Sequence, residues 1–396
     1  MQTQGLVIKG MEFFHLRSST RLADSLFALC LCGKITPGIE PDIAKARLTL
    51  HSFASKLILK ILILKPSSLG DVIQALPVLR LLKLHWPESE IHWWIDSGLA
   101  PLLQGDRDLT GLVRFERHRW VTPANWPEVA RSVRWMRRRN FDLVIDLQCL
   151  FRSGMFAWLA NGKFLVGLDE AREGARGFYD LAVRRASFHT HAADWYLAVL
   201  TALRVPVDRK FDWLPERLTI SAEVKRKWST DAARWIVIQP GARWLNKRWP
   251  VENYTALVRE LAVARPDHRF AIMGSAADQP AGAAITQANP GRCLDLTGKV
   301  SLQEMVEWIR LSDLMISNDT GPMHVAAALG KPVVAIFGPT EPRRTGPYGQ
   351  LQNVIRIDLP CAPCLKSRCH YYKPMECLRG INADMVFQKA LGQLSR

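Results

Sequence analysis

The sequence lacks the run of roughly 20 apolar residues that a membrane-spanning helix needs; its longest, Leu26 to Cys32, is seven residues and follows shortly after Asp24. It also lacks four familiar fingerprints: there is no G-x-x-x-x-G-K-[ST], no G-x-G-x-x-G after a strand, no G-x-S-x-G and no H-E-x-x-H. Kinase-like and ordinary dinucleotide chemistry lose weight accordingly. Cysteine is sparse, with 8 in 396 residues, which excludes a disulfide-stapled scaffold. Cys30, Cys32, Cys149 and Cys293 lie among apolar residues, as buried thiols do in a reducing compartment, so a cytoplasmic location is expected. Acid is in deficit too: 37 Asp+Glu against 53 Lys+Arg leave a net charge of +16. Such a surface attracts nucleic acid, an anionic membrane face or phosphorylated small molecules, and charge alone does not choose among them.

What is present is a long, apolar-rich chain, 48% hydrophobic, enough for two domains that hold their cores without metal or staple. Residues 1–55 show no sustained period and no secretory cleavage pattern, and are expected to form a poorly defined extension. The run Leu57-Ile58-Leu59-Lys60-Ile61-Leu62-Ile63-Leu64 then suits a first strand buried on both sides of a parallel sheet. The turn Pro66 to Asp71 leads into a helix expected over 72–85, and the alternation continues with strands at 90–95 and 141–147, a basic helix at 129–141 and a helix at 194–203. A link is expected over 205–233. A second series follows, with strands at 235–239, 270–273, 314–317 and 332–337 and helices at 251–264, 302–311 and 323–329. The pattern predicts an α/β chain of two Rossmann-like, doubly wound parallel-sheet domains, residues 56–215 and 216–396, the second ending in a Cys-rich loop and a helix.

Ligands of such sheets bind beyond the carboxyl ends of the strands. In Asn318-Asp319-Thr320-Gly321-Pro322-Met323-His324, between a strand and a helix, free backbone N–H groups suit a phosphate. Gly321 admits close approach, Thr320 adds a hydroxyl, and Pro322 fits a first helical turn. Asp319 is either an N-cap or a partner for sugar hydroxyls or a nearby cation, and His324 reads more readily as a packed helix residue than as a catalytic one. The loop from Gly241 to Pro250 carries Arg243, Lys247 and Arg248, and a cation there can neutralise a leaving diphosphate. Lys247 is favoured by its place just before a helix; Arg243 and Arg248 read as solvated charges and Trp249 as packing. Asp71 reads as a helix cap or as a general base, and spacing alone favours the cap. Asp106-Arg107-Asp108 has the D-x-D form but lies in a polar loop, so it is expected to be solvated.

Two motifs carry a family likeness. One is Pro66-Ser67-Ser68-Leu69-Gly70-Asp71-Val72-Ile73 followed by Ala75-Leu76-Pro77; the other is Ser317 to His324 followed by Ala326-Ala327-Ala328-Leu329-Gly330 and Phe337-Gly338-Pro339-Thr340. With Gln239-Pro240-Gly241-Ala242 and Lys247-Arg248-Trp249-Pro250 between them, the chain from about Leu57 onward resembles the bacterial heptosyltransferases of glycosyltransferase family 9. The resemblance implies a GT-B fold and inverting transfer of L-glycero-D-manno-heptose from its ADP derivative to the Kdo/heptose inner core of lipopolysaccharide. It implies no cofactor and no metal, and a peripheral position on the inner face of the inner membrane, with no nucleic-acid partner. By the same resemblance Asp71 is the general base. Gly241, Arg243, Lys247, Asp319, Thr320, Gly321 and His324 contact the donor, and Ser68, Gly70, Arg119 and Arg152 the Kdo-lipid A type acceptor. Arginines from Arg117 to Arg176, Arg172 among them, would meet its acidic sugars.

There are departures. Many relatives hold the ribose with an acid in the loop after the 270–273 strand, whereas Gly274-Ser275-Ala276-Ala277 is neutral and Asp278 comes first. Cys361, Cys364, Cys369 and Cys377 lack the paired C-x-x-C form of a zinc ribbon and are open to three readings: a structural metal site, loop packing or a conditional disulfide. The rival functions are a same-fold transferase using another nucleotide sugar and a non-catalytic protein that binds anionic glycolipid.

Overall fold

The structure, a computed structural model, describes residues 58–170, 173–208 and 211–395. The expectations for the first 55 residues, including Cys30 and Cys32, and for Arg172 lie outside them. Strand β1 (Lys60–Leu64) pairs in parallel with β2 (Glu90–Asp96) on one side and β4 (Leu143–Asp146) on the other. With β3 (Gly111–Phe115), β5 (Phe164–Asp169) and β6 (Leu181–Arg184) it forms a six-stranded sheet of order β3-β2-β1-β4-β5-β6. Its helices are α1 (Leu69–His85), α2 (Trp126–Arg138), α3 (Phe151–Leu159) and α4 (Ala192–Ala202).

After α5 (Leu218–Trp228) the same winding recurs. Strands β7 (Arg234–Gln239), β8 (His268–Ile272), β9 (Cys293–Asp295), β10 (Leu314–Asn318), β11 (Val333–Ile336) and β12 (Val354–Ile355) take the order β12-β11-β10-β7-β8-β9. They are covered by α6 (Val251–Ala264), α7 (Gln279–Thr286), α8 (Leu302–Leu311), α9 (Gly321–Ala328) and α10 (Ala383–Leu394). Two doubly wound parallel sheets make the expected GT-B architecture. In each, the chain reverses its direction of travel between two central strands, β1 and β4 in the first sheet and β7 and β10 in the second. These are the switch points where loops diverge and leave a crevice.

Period-two alternation explains the near-continuous aliphatic strands. Ile61 and Ile63 face one core and Leu62 and Leu64 another; all four are fully buried. Beneath α2 and α3 the first sheet packs an aromatic group of Trp94, Phe115 and Phe156. On its other face α1 packs against α9, so one apolar cluster runs from Ile61 and Leu76 through Met323 to Val237 and Met315 of the second sheet. The far face of the second sheet buries Ile236, Ile238 and Ile316 under α6 and α10.

Two expectations are corrected. The link over 205–233 contains α5, whose Ile220, Val224 and Trp228 recur at four-residue spacing and pack against the shared core. The D-x-D pair is not solvated: Arg80 of α1 is 7% exposed and grips Asp106 through two bonds of 2.5 and 2.6 Å, and Asp108 through one of 2.6 Å. A buried guanidinium requires such partners. Asp106→Ala should therefore lower unfolding free energy by about 3 kcal/mol in urea titration; a change below about 0.5 kcal/mol would mean the carboxylate behaves as a surface group.

Candidate active site

At the first switch point, Lys65 follows β1 directly, is 3% exposed, and donates to the Leu147 carbonyl at the end of β4 at 3.0 Å. Its ammonium lies 3.9 Å from Asp71 Oδ1 and 4.9 Å over the Tyr196 ring. Asp71 divides its two oxygens. Oδ2 accepts from the Ser68 N–H at 2.9 Å and the Ser68 hydroxyl at 2.6 Å, closing a capping box that starts α1 at Leu69 rather than at residue 72. Oδ1 faces Lys65 and the Tyr196 hydroxyl, which donates at 3.4 Å. Burial opposes the charge on Asp71, but the Lys65 ammonium and the two Ser68 donors outweigh it and hold the carboxyl below its ordinary range. The side chain is still 38% exposed, so a substrate group can reach it.

At the second switch point, Asn318 is locked by the Trp249 N–H at 3.1 Å and by its own bond to the Pro240 carbonyl at 2.7 Å. This fixes the β7 and β10 loops against each other. Asp319 then accepts from Lys247 at 2.6 Å and from the Thr340 hydroxyl at 2.5 Å, so it is the partner of a cation and not an N-cap. Thr320 holds the N-cap position of α9 without a side-chain bond. Gly241 lies against the Asp278 carboxylate, which Ser275 caps as Ser68 caps Asp71 and which Arg248 approaches to 3.4 Å. Arg248 also donates to the Ala242 carbonyl and is thus tied down, whereas Arg243 is exposed.

The two loop sets meet where α1 crosses α9. The His324 ring fills the space a side chain at Gly70 would need, and its Nδ1 lies 3.0 Å from Gln74 Nε2. A Cβ on Gly321 would sit 2.7 Å from Leu69 Cδ2, so this glycine admits the neighbouring helix rather than open solvent. Burial drives the His324 pKa down to about 4, with Asp319 and Asp71 opposing the shift and His191 and Lys247 assisting it. Ser68, Gly70, Asp71, Lys247, Asp319, Thr320, Gly321 and His324 thus gather at one junction. Arg119 and Arg152 lie elsewhere on the first half: Arg119 pairs with Glu128 at 2.6 Å, and Arg152 borders a hollow of about 1210 Å³ between α2 and α3.

Lys65, Tyr196 and Gln74 are not among the residues marked in the sequence, and Thr340 is marked there only as the end of the second motif. Lys65 carried a signal, as the first charge after a buried strand; Tyr196, in a helix 125 residues from Asp71, carried none. Arg185 is a further addition. Its Nε and Nη1 are buried without a hydrogen-bond partner among the described residues, and its guanidinium lies 4.3 Å over Trp195. The four C-terminal cysteines are free thiols lining a 240 Å³ hollow beside Asn246, whose amide donates to the Lys366 carbonyl at 2.8 Å. Burial and then the neighbouring Cys369, Cys361 and Cys364 push the Cys377 thiol up to about 11. Among the described residues no three His, Cys, Asp or Glu side chains are arranged to hold a metal ion.

Residues 129–374 match the model of glycosyltransferase family 9 (heptosyltransferase). The chain is 32% identical over 334 residues to lipopolysaccharide heptosyltransferase 1 of Pseudomonas aeruginosa, covering 79% of this chain and 88% of that protein. It is 27% identical over 321 residues to lipopolysaccharide heptosyltransferase 2 of Salmonella typhimurium, covering 76% and 88%. Among solved structures, a family 9 glycosyl transferase from Veillonella parvula superposes with a TM-score of 0.72 at 25% identity, covering 85% of this chain and 97% of that one. The E. coli heptosyltransferase WaaC with ADP gives 0.68 at 24%, covering 85% and 100%.

The depressed His324 pKa carries a stability consequence. Between about 6.5 and about 4 the unfolded chain binds a proton at this residue that the native chain refuses, so the contribution is present above pH 6.5 and is lost as pH falls to 4. The loss amounts to about 3 kcal/mol. His324→Gln should shed this dependence: the stability gap between wild type and variant, from urea unfolding at pH 7, 5.5 and 4, should shift by about that amount in the variant's favour as pH falls. A gap that stays constant would show that His324 titrates normally.

Proposed function

The chain belongs to glycosyltransferase family 9, the heptosyltransferases, and from that premise we propose that it moves heptose from ADP-L-glycero-D-manno-heptose to the Kdo/heptose inner core of lipopolysaccharide, with inversion and without a metal. That it is a glycosyltransferase of lipopolysaccharide core synthesis follows from its relatives. The finer reading is supported by one observation above all: a carboxylate from one half and a held ammonium from the other converge on the α1–α9 junction.

A single displacement at an anomeric carbon needs a base on the acceptor side and charge stabilisation on the leaving side. In this reading an acceptor hydroxyl approaches Asp71 Oδ1 and attacks the anomeric carbon from the face opposite ADP. The new C–O bond forms as the bond to the diphosphate breaks, the electron pair leaves with ADP, and the hydroxyl proton passes to Asp71. One inversion results. Lys65 keeps Asp71 ionised at neutral pH, at the cost of basicity, which suits a proton that moves as the bond forms. Ser68 holds the other oxygen still.

On the leaving side Asp319 and Thr340 fix Lys247, whose remaining N–H donors are directed to the diphosphate. The Thr320 hydroxyl, which makes no capping bond, and the N–H of Gly321 at the first position of α9 add to this, and Gly241, Arg243 and His324 complete the donor side. The acceptor is a lipid-anchored, acidic Kdo-lipid A type sugar met by Ser68, Arg119 and Arg152, with the buried Gly70, expected among its contacts, packed under His324 instead, and the enzyme works on the cytoplasmic face of the inner membrane.

The test is ADP release from ADP-heptose with a Kdo-lipid A acceptor, run beside a panel of other nucleotide sugars; turnover with one of those and none with ADP-heptose would overturn the donor assignment. Asp71→Asn should keep donor affinity within about twofold while kcat falls at least about 100-fold, and near-normal turnover would refute the base. Lys247→Ala should raise the KM for ADP-heptose. A change confined to acceptor KM would put the donor in the wrong half.

A further inference from the structure

Apart from Arg152, the residues that line the hollow of about 1210 Å³ between α2 and α3 take no part in the transfer reaction as proposed. Its floor is aromatic: Phe115, Trp120 and Phe156 pack ring to ring, at centroid distances of 5.2 Å for Phe115–Trp120 and 5.6 Å for Trp120–Phe156. At its lip two large apolar side chains stand in solvent, Val121 at 66% exposure and Trp126 at 59%. Around them run Arg117, Arg134, Arg137, Arg138 and Arg152, and among the described residues none of the five has an acidic partner within salt-bridge distance. The basic α2 is thus not an ordinary solvated face. It stacks unpaid positive charge along one side of an open apolar trough, on a chain already at +16.

Apolar side chains that protrude from within a ring of arginines match the boundary between acyl chains and phosphates in a lipid leaflet. Among the described residues no helix is long and apolar enough to cross a membrane, so attachment by these residues would be peripheral. We propose that this hollow and its rim are the surface by which the protein docks on an anionic bilayer, Val121 and Trp126 entering the interface and the arginines pairing with lipid phosphates. Arg152, in the first turn of α3 after β4, joins this surface to the acceptor side, so a docked enzyme has that side toward the leaflet. The inference deepens the reading of a lipid-anchored acceptor. Vesicle binding needs no donor and no turnover, so either idea can fail alone.

The experiment measures partitioning of the whole protein onto phosphatidylglycerol vesicles and onto pure phosphatidylcholine vesicles by co-sedimentation. Wild type should bind the anionic vesicles and not the neutral ones. Joint Arg134→Ala, Arg137→Ala and Arg138→Ala should weaken binding on the order of a hundredfold at low salt, whereas Arg226→Ala, Arg259→Ala and Arg269→Ala, equal in charge removed and exposed on the other half, should weaken it less than about tenfold. Val121→Ser with Trp126→Ala, which leave charge unaltered, should weaken it by about tenfold or more. Failure of wild type to bind anionic vesicles, equal losses from the two arginine triples, or full binding by the Val121/Trp126 variant would each overturn the proposal. So would a lipid-free dimer in sedimentation velocity that the Val121/Trp126 variant abolishes, since the hollow would then serve a second copy.

Discussion

The junction of α1 with α9 is the constraint from which the rest of the molecule takes its geometry. Each helix brings its first turn, and each first turn has a glycine where the other helix needs room: Gly70 yields to the His324 ring and Gly321 to Leu69. Because α1 starts directly after β1 and α9 directly after β10, bringing these turns together also brings together the carboxyl ends of the two central strands. The shared apolar cluster that runs from one sheet to the other holds this crossing in place. His324 stays neutral in the middle, and so can lie near Asp71 and Asp319 on one hand and Lys247 on the other without adding a charge to a dry contact.

The same local device does two jobs in the two halves. Ser68 caps α1 through Asp71, and Ser275 makes the same two bonds to Asp278 three residues on. In the second half the carboxylate packs against Gly241 and faces Arg248, filling space behind the loop that follows β7. In the first it keeps one oxygen toward Lys65 and solvent. Cap and base, which are rival readings of Asp71 in the sequence, therefore do not exclude each other: the cap occupies Oδ2 and leaves Oδ1 for the proposed base. A depressed pKa follows from the same arrangement, since the capping donors and Lys65 act on the charged form.

Much of the fold is legible in the sequence because the central strands of both sheets are buried on both faces and read as aliphatic runs between turn signals, whereas the half-exposed outer strands β3, β6 and β9 carry no such run. The helices Val251–Ala264 and Leu302–Leu311 begin and end where their apolar spacing says. Helix α5 is hidden by its composition: its packed stripe of Ile220, Val224 and Trp228 is thin, and the charges between look like a linker. Asp106 and Asp108 mislead for another reason. Their burial depends on Arg80, whose place on the inner side of α1 is a tertiary fact. Lys65 reaches Asp71 across the short loop between β1 and α1, but Tyr196 does so only through the winding of the sheet, and the trough between α2 and α3 exists only once the two helices lie side by side.

The most direct test of the junction is the turnover of Gly70→Ala beside Gly392→Ala, whose added Cβ meets nothing within 4 Å. Alanine ordinarily favours a helix over glycine, so propensity alone predicts that both variants are unharmed. If the α1–α9 crossing sets the spacing between Asp71 and Lys247, Gly70→Ala should displace His324 and lower kcat by about tenfold or more while ADP affinity stays unchanged. Turnover of Gly70→Ala equal to that of Gly392→Ala would contradict the account.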